Sequence, residues 1–453
     1  MPTTTLFIFG ANGDLTSRLL LPALGQLLTL EPDRGIHLVG VGQETGTDDD
    51  WRKRVTECFD DDAGPTARRV AQESRYLQAD VTQSDELRTV FAAARGPAVL
   101  YFAVPPSIAQ KSCDAMSGVD IPDGTILALE KPFGSDESSA RDFNHMLAQL
   151  VPENQVFRVD HFLGQSILLD VFGVRFANRV FEPVWSAEHI ESVVIRYDEP
   201  LGLEGRAGYY DSAGALKDML QSHLLQILAV VAMDPPATLD ERDLRDATTA
   251  ALRATHVWHD DPVKSSRRAR YTAGEVGGEM LPAYVDENGV DPARGTETLA
   301  EATFAVDTAR WQGVPFILRS GKALDPAVKE IALTFRQVRH LPHQFTGATS
   351  PDVLSFRFGP DELSLHINVH KGTQPFELHR SAVTADLGEG SMRAYVEVLS
   401  GILDGDATLA VRGDAAEQCW RIVAPIIDAW RDGKVPLDDY PAGSSGPASW
   451  RPV

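Results

Sequence analysis

The chain has 453 residues, 43% hydrophobic and 24% charged, which is too long for one ordinary core and suits two or three soluble domains. Its formal net charge of −23 argues against nucleic-acid binding, which needs clustered Lys and Arg. Anionic small molecules stay open, because a few buried cations set a local field. Three widely spaced cysteines (Cys58, Cys113, Cys419) form neither a disulfide framework nor a metal-ligand pattern, which favours a reducing compartment and no metal. There is no basic leader and no apolar run near the roughly 18 residues that span a bilayer, so a cytoplasmic protein without a membrane partner is expected.

In chain order, Leu6 to Phe9 is a short apolar run ending in Gly10, and Leu15 to Leu30 is apolar-rich and of helical length. A second buried-type strand is expected at Ile36 to Val41, then a polar helical segment from Asp49 to Gln72. Arg75 to Ala79, Ala98 to Val104 and Thr125 to Leu129 are further strand candidates. Strands alternating with helices imply a parallel sheet of βαβ units, a Rossmann-type dinucleotide-binding domain over residues 1–165. Beyond it, Ser192 to Tyr197, Ile331 to Phe335, Val353 to Phe358 and Ser364 to Val369 alternate as strands among helical stretches at Leu216 to Met233 and Ala415 to Asp432. Residues 166–453 are thus expected to form an α+β domain with a large, mainly antiparallel sheet. The Pro/Gly/Ser-rich end, about residues 440–453, is expected to be flexible.

Gly10, Gly13, Asp14 and Leu15 follow a strand and open a helix, a turn whose backbone N–H groups suit a pyrophosphate. Two glycines are common in βα turns, so context carries this reading. After the second strand, Gln43 and Glu44 stand where an acid favours ribose hydroxyls over a 2′-phosphate. Lys131, in Glu130-Lys-Pro-Phe-Gly134, falls at a strand's carboxyl edge, where ligands bind in such sheets. Asp218 and His223, five apart, point about 140° from one another on an α-helix.

Longer stretches carry a resemblance to the motifs of one known family. Arg158-Val-Asp-His-Phe-Leu-Gly-Gln165 is similar to its RIDHYLGK, Glu130 to Gly134 to its EKPFG, and Leu216 to Gln226 to its IIRDVMQNHLLQ. Tyr101 to Pro106 matches YLALPP, Arg175 to Phe181 matches RFANRIF, Glu199 to Tyr209 matches EPFGTEGRGGY, and Gly313 to Lys322 matches GVPFYLRTGK. On these motifs the chain is identified as a member of a divergent branch of the glucose-6-phosphate dehydrogenase family.

The resemblance implies NAD(P)-dependent oxidation of the anomeric hydroxyl of a hexopyranose, glucose 6-phosphate by default, to a lactone. It makes His223 the general base, a task that suits an imidazole titrating near neutrality, and Asp160 its partner carboxylate. It assigns Lys131, Glu199, Asp218 and Lys322 to the sugar hydroxyls and His161 to the phosphate, with Gln165 in the place of a phosphate-binding lysine. Pro105 would line the nicotinamide pocket, with Lys131 bridging nicotinamide and sugar across a cis Lys131–Pro132 bond. Homodimers or homotetramers built on the large sheet are implied as well.

Several family positions are altered. Leu19 and Gln165 replace lysines and Phe162 replaces a tyrosine. Because a phosphate dianion recovers its desolvation cost through charged hydrogen bonds, an unphosphorylated or differently substituted sugar is a rival substrate. A regulatory paralogue without turnover is a third reading, opposed by the intact Lys131, Asp160, Asp218 and His223. NAD or NADP is the expected cofactor, with NAD favoured by Gln43 and Glu44; Arg18 or the Arg52, Lys53 and Arg54 cluster could hold a 2′-phosphate, against the reading of that cluster as a solvated helix face.

Overall fold

The computed structural model describes residues 3–205, 207–370, 374–388 and 394–450. Two compact units emerge. The first comprises Met1–Gln165, Pro236–Asp246 and Met392–Glu417; the second comprises Ser166–Pro235, Ala247–Ser391 and Gln418–Val453. A single cut between residues 165 and 166 therefore differs from the structure in two segments that return to the first unit. One reason lies in the helix Ala394–Asp404, whose Val396, Leu399 and Ile402 are each 1% exposed within a first-unit core. Fully burying such side chains contributes about 1.5–3 kcal/mol apiece, which a surface position would forfeit.

Six parallel strands build the first unit: β1 (Thr4–Phe9), β2 (Ile36–Gly42), β3 (Arg75–Gln78), β4 (Ala98–Phe102), β5 (Ile126–Glu130) and β6 (Val156–Val159). Their spatial order is β3-β2-β1-β4-β5-β6, all neighbours parallel, so the direction of winding reverses between β1 and β4. Both faces of the inner sheet are buried, which is why β1, β2, β4 and β5 read as largely apolar runs rather than alternating ones, while the edge strand β3 (Arg-Tyr-Leu-Gln) does not. The polar helical segment forms two helices, Asp48–Cys58 and Pro65–Glu73, instead of one. Thr47 starts the first with a reciprocal capping box to Asp50, and Gly64-Pro65 starts the second.

An 11-stranded sheet dominates the second unit. Most of its neighbours are antiparallel, including Ile190–Asp198 against Lys329–Phe335 and Asp361–His370 against Glu377–Gly388. Phe316–Gly321 runs parallel to Ile190–Asp198 near its centre. Among the described residues, no helix is long and apolar enough to cross a membrane.

The C-terminal segment departs from expectation. Leu437–Pro441 adds a parallel strand beside Ser266–Thr272, and Tyr440 is fully buried with its hydroxyl donating to the Lys322 carbonyl at 2.6 Å. Arg319 donates to the Ser445 carbonyl at 2.6 Å, and the Trp450 indole N–H donates to Asp438 at 2.8 Å. Pairing with distant strands thus organises a stretch whose local composition reads as a flexible tail. Residues 451–453 lie outside the described residues.

Candidate active site

In the first unit, each expected residue follows the carboxyl end of a parallel strand. After β1, Gly10 takes φ +83°, and an added Cβ would meet the Ala103 carbonyl oxygen at 2.2 Å. Only glycine fits so close an approach of two strand ends. The Gly13 N–H donates to the Gly10 carbonyl at 2.9 Å, as does the Thr16 hydroxyl, closing the turn where the helical stretch Thr16–Leu30 begins. Asp14 is exposed and Leu15 half-buried. A glycine turn at a helix start, beside the β1/β4 reversal, has the shape and N–H donors that a dinucleotide pyrophosphate requires.

The loop after β2 is held by polar contacts. The Gln43 carbonyl accepts from Gln78 at 3.1 Å. Glu44 accepts from the Asn12 amide at 3.2 Å through its carboxylate, and from the Tyr76 hydroxyl at 2.7 Å through its carbonyl. Of the three nearby cations, Arg52 pairs with Asp49 at 3.1 Å and Lys53 lies 3.8 Å from Glu57. Arg54 donates to Ser17 at 3.0 Å, beside the glycine turn. Pro105 starts the helix after β4, and its carbonyl accepts from the Ile108 N–H at 2.8 Å.

Lys131 follows β5, and the Lys131–Pro132 bond is cis. Asp160 and His161 follow β6, where the Asp160 carboxylate accepts from the Phe162 N–H at 3.0 Å and starts the short 3₁₀ helix His161–Gly164. Gln165 ends that helix and is half-buried. Asp160 is 3% exposed, and burial pushes it up to about 6, against the opposing pull of His161, the Phe162 N–H and Lys131. Phe162 is buried, with its ring edge-on to His161.

Three residues here received no role from the sequence. Glu130 accepts from the hydroxyls of Tyr101 at 2.6 Å and Tyr395 at 3.2 Å, and Tyr395 stacks on His161 with ring centroids 5.5 Å apart. The Glu130 residue is half-buried while its carboxyl is enclosed, and desolvation pushes it up to about 7. Tyr101 and Glu130 sit inside matched motifs. Tyr395 is 265 residues from Glu130, and no local signal connects them.

In the second unit, Leu216–Leu224 is a π-helix. Hydrogen bonds five residues apart wind it wider than an α-helix, so each residue turns through a smaller angle and positions 218 and 223 come closer to one face than the 140° of an α-helix allows. His223 is 1% exposed on this element. Lys322, 6% exposed, donates to Glu199 at 2.8 Å and lies 5.3 Å from the centre of the Tyr210 ring. Asp218 accepts from the Tyr209 hydroxyl, and its charge, with that of Glu199, also acts on Tyr210. Glu199, Asp218 and Lys322 are thus gathered around one tyrosine ring.

A parallel sheet in the order β3-β2-β1-β4-β5-β6 with its glycine turn, joined to a unit bearing a buried histidine and clustered carboxylates, defines a two-domain nicotinamide-dependent dehydrogenase. Residues 7–169 match the NAD binding domain of glucose-6-phosphate dehydrogenase, and residues 172–452 match its C-terminal domain. The chain is 37% identical to the glucose-6-phosphate 1-dehydrogenase of Gluconobacter oxydans, over 97% of this chain and 94% of that protein. It is 34% identical to that of Treponema pallidum, over 98% and 92%. A solved glucose-6-phosphate dehydrogenase in complex with its substrate glucose 6-phosphate superposes with a TM-score of 0.87 at 27% identity, covering 99% of this chain and 96% of that one. The glucose-6-phosphate 1-dehydrogenase of Mycobacterium avium gives 0.86 at 31% identity, covering 98% and 95%. This chain belongs to the glucose-6-phosphate dehydrogenase family.

Proposed function

We propose that the protein oxidises the anomeric hydroxyl of glucose 6-phosphate to the lactone. The nicotinamide cofactor, held at the Gly10–Leu15 turn and beside Pro105, supplies the hydride acceptor. His223 takes the hydroxyl proton, and Asp160 is its partner carboxylate, the pairing that the motifs imply. Glu199, Asp218, Lys131 and Lys322 hold sugar hydroxyls, while His161 and Gln165 face the phosphate. The observation that carries this reading is the buried His223 on a π-helix that also bears Asp218.

A second reading keeps the chemistry and changes the sugar. It is favoured by Leu19, 43% exposed, and by Phe162, which brings no hydroxyl. For the cofactor, NAD is favoured, because Glu44 is steadied by Asn12 and Tyr76 where a 2′-phosphate would sit, and Arg52 and Lys53 are engaged elsewhere. The large sheet, which exposes Val383 and Leu387, supports a homodimer or homotetramer, and the cytoplasm is the compartment proposed. Assaying sugars and sugar phosphates with both oxidised nicotinamides, by absorbance of the reduced form, tests the reading. Reduction with glucose 6-phosphate is expected; turnover only on neutral sugars would favour the second reading, and none on any sugar would refute both.

A further inference from the structure

The second unit contains a cavity of about 340 Å³ that the proposed reaction does not use. That volume lies at the lower end of the usual range for small-molecule sites. Three cations line it, Lys217, Arg268 and Arg294, together with two buried acids, Asp211 and Glu297, and the indole of Trp430.

The acids consume only part of the positive charge, since Asp211 pairs with Arg294. Asp211 is satisfied by the Tyr284 hydroxyl at 2.8 Å, the Asp291 N–H at 3.1 Å and Arg294 at 3.1 Å. Among the described residues, Arg268 donates to carbonyls alone, those of Trp430 at 3.1 Å and Val435 at 3.0 Å, which orient the guanidinium without neutralising it. Among the described residues, neither Lys217 nor Arg268 forms an ion pair, although the charge of Glu297 acts on both. Glu297 accepts from the Leu216 N–H at 3.0 Å, and burial pushes it up to about 6, against the pull of Arg268 and Lys217. Two cations therefore present charge to a partly enclosed space. Ser212 and Thr296 lie beside it with hydroxyls that donate to the Tyr209 and Asp211 carbonyls and remain acceptors for ligand hydroxyls, and Leu216, Ile427 and Trp430 offer apolar wall.

We propose that this cavity is a second ligand site, for a small phosphate ester of sugar-phosphate size, with Lys217 and Arg268 as its anion contacts. A phosphate dianion meets both cations, and the hydroxyls and apolar wall receive the organic part, as small-molecule sites commonly divide their contacts. The site also borders the start of the π-helix, since Lys217 immediately precedes Asp218.

Equilibrium binding of ribose 5-phosphate and of inorganic phosphate to the full chain tests this, by calorimetry on the unmodified protein and on Lys217→Ala, Arg268→Lys and His161→Ala. Losing one charge-assisted hydrogen bond is expected to weaken ribose 5-phosphate binding about tenfold or more in Lys217→Ala. Arg268→Lys is expected to weaken it less, and His161→Ala to retain one site of unchanged affinity. Inorganic phosphate is expected to bind the same site more weakly. The proposal is overturned if no binding is seen up to about 10 mM, if Lys217→Ala binds normally, or if His161→Ala abolishes all binding. Equal affinity for both probes would overturn it too, because the walls would then contribute nothing.

Discussion

Replacing Asp160 with Asn should cost activity and raise stability, the second in a pH-dependent way. Burial raises the Asp160 carboxyl from the 3.8 of an ordinary aspartate, its value in the unfolded chain, to about 6 in the folded one. Between those values the folded chain binds more protons than the unfolded one, so stability falls as pH rises through the window. The difference of about 2 pKa units, at 1.36 kcal/mol each, gives a penalty of about 3 kcal/mol well above pH 6. About half of it is already present at pH 5, so roughly 1.4 kcal/mol develops between pH 5 and pH 8. Asn keeps an acceptor for the Phe162 N–H and removes the buried charge. For a unit of this size 1 kcal/mol moves Tm by about 2–4 °C, so the Tm advantage of Asp160→Asn should grow by about 3–6 °C over that range. Turnover should fall by about 100-fold or more, because the imidazole loses its partner carboxylate. Calorimetric unfolding of both proteins across pH decides it. A Tm difference that stays constant would show that folding leaves Asp160 unshifted, one that shrinks as pH rises would show that it is stabilised as a carboxylate, and either would refute the reasoning.

His223→Asn should retain cofactor binding while turnover drops about 100-fold or more; near-normal turnover would remove His223 as the base. NAD should serve at least as well as NADP when both are titrated, and a strong NADP preference would assign the 2′-phosphate to Arg54, the cation beside the glycine turn. Glucose 6-phosphate should be a poorer substrate here than for relatives with the full phosphate clamp, and Phe162→Tyr with Gln165→Lys should lower its KM by about tenfold or more. Micromolar affinity in the unmodified protein would contradict that expectation.

Much of this arrangement is legible locally. Gly10 announces the turn because no other residue tolerates the approach of the Ala103 carbonyl, and Lys131 follows a strand that reads as an apolar run; the strand before Asp160 and His161, Val156–Val159, is interrupted by Arg158 and is not among the strands expected from the sequence. What the sequence conceals depends on distant partners or on subtle winding. Helix Ala394–Asp404 looks like any amphipathic helix, and only contact with the first-unit core assigns it there. Tyr440 sits next to a Pro/Gly/Ser-rich stretch, yet its hydroxyl meets Lys322, 118 residues earlier. The π-helix at Leu216–Leu224 has no compositional mark, so α-helical geometry misplaces Asp218 relative to His223. The Glu130–Tyr395 contact is hidden for the same reason as Tyr440.

The most direct test of the central claim follows the hydrogen itself. Glucose 6-phosphate deuterated at the anomeric carbon, incubated with the protein and each oxidised nicotinamide, should yield a lactone and a reduced nicotinamide carrying the deuterium at ring carbon 4, read by NMR. Reduced nicotinamide without deuterium, or a product that keeps deuterium at the anomeric carbon, would contradict the proposed reaction.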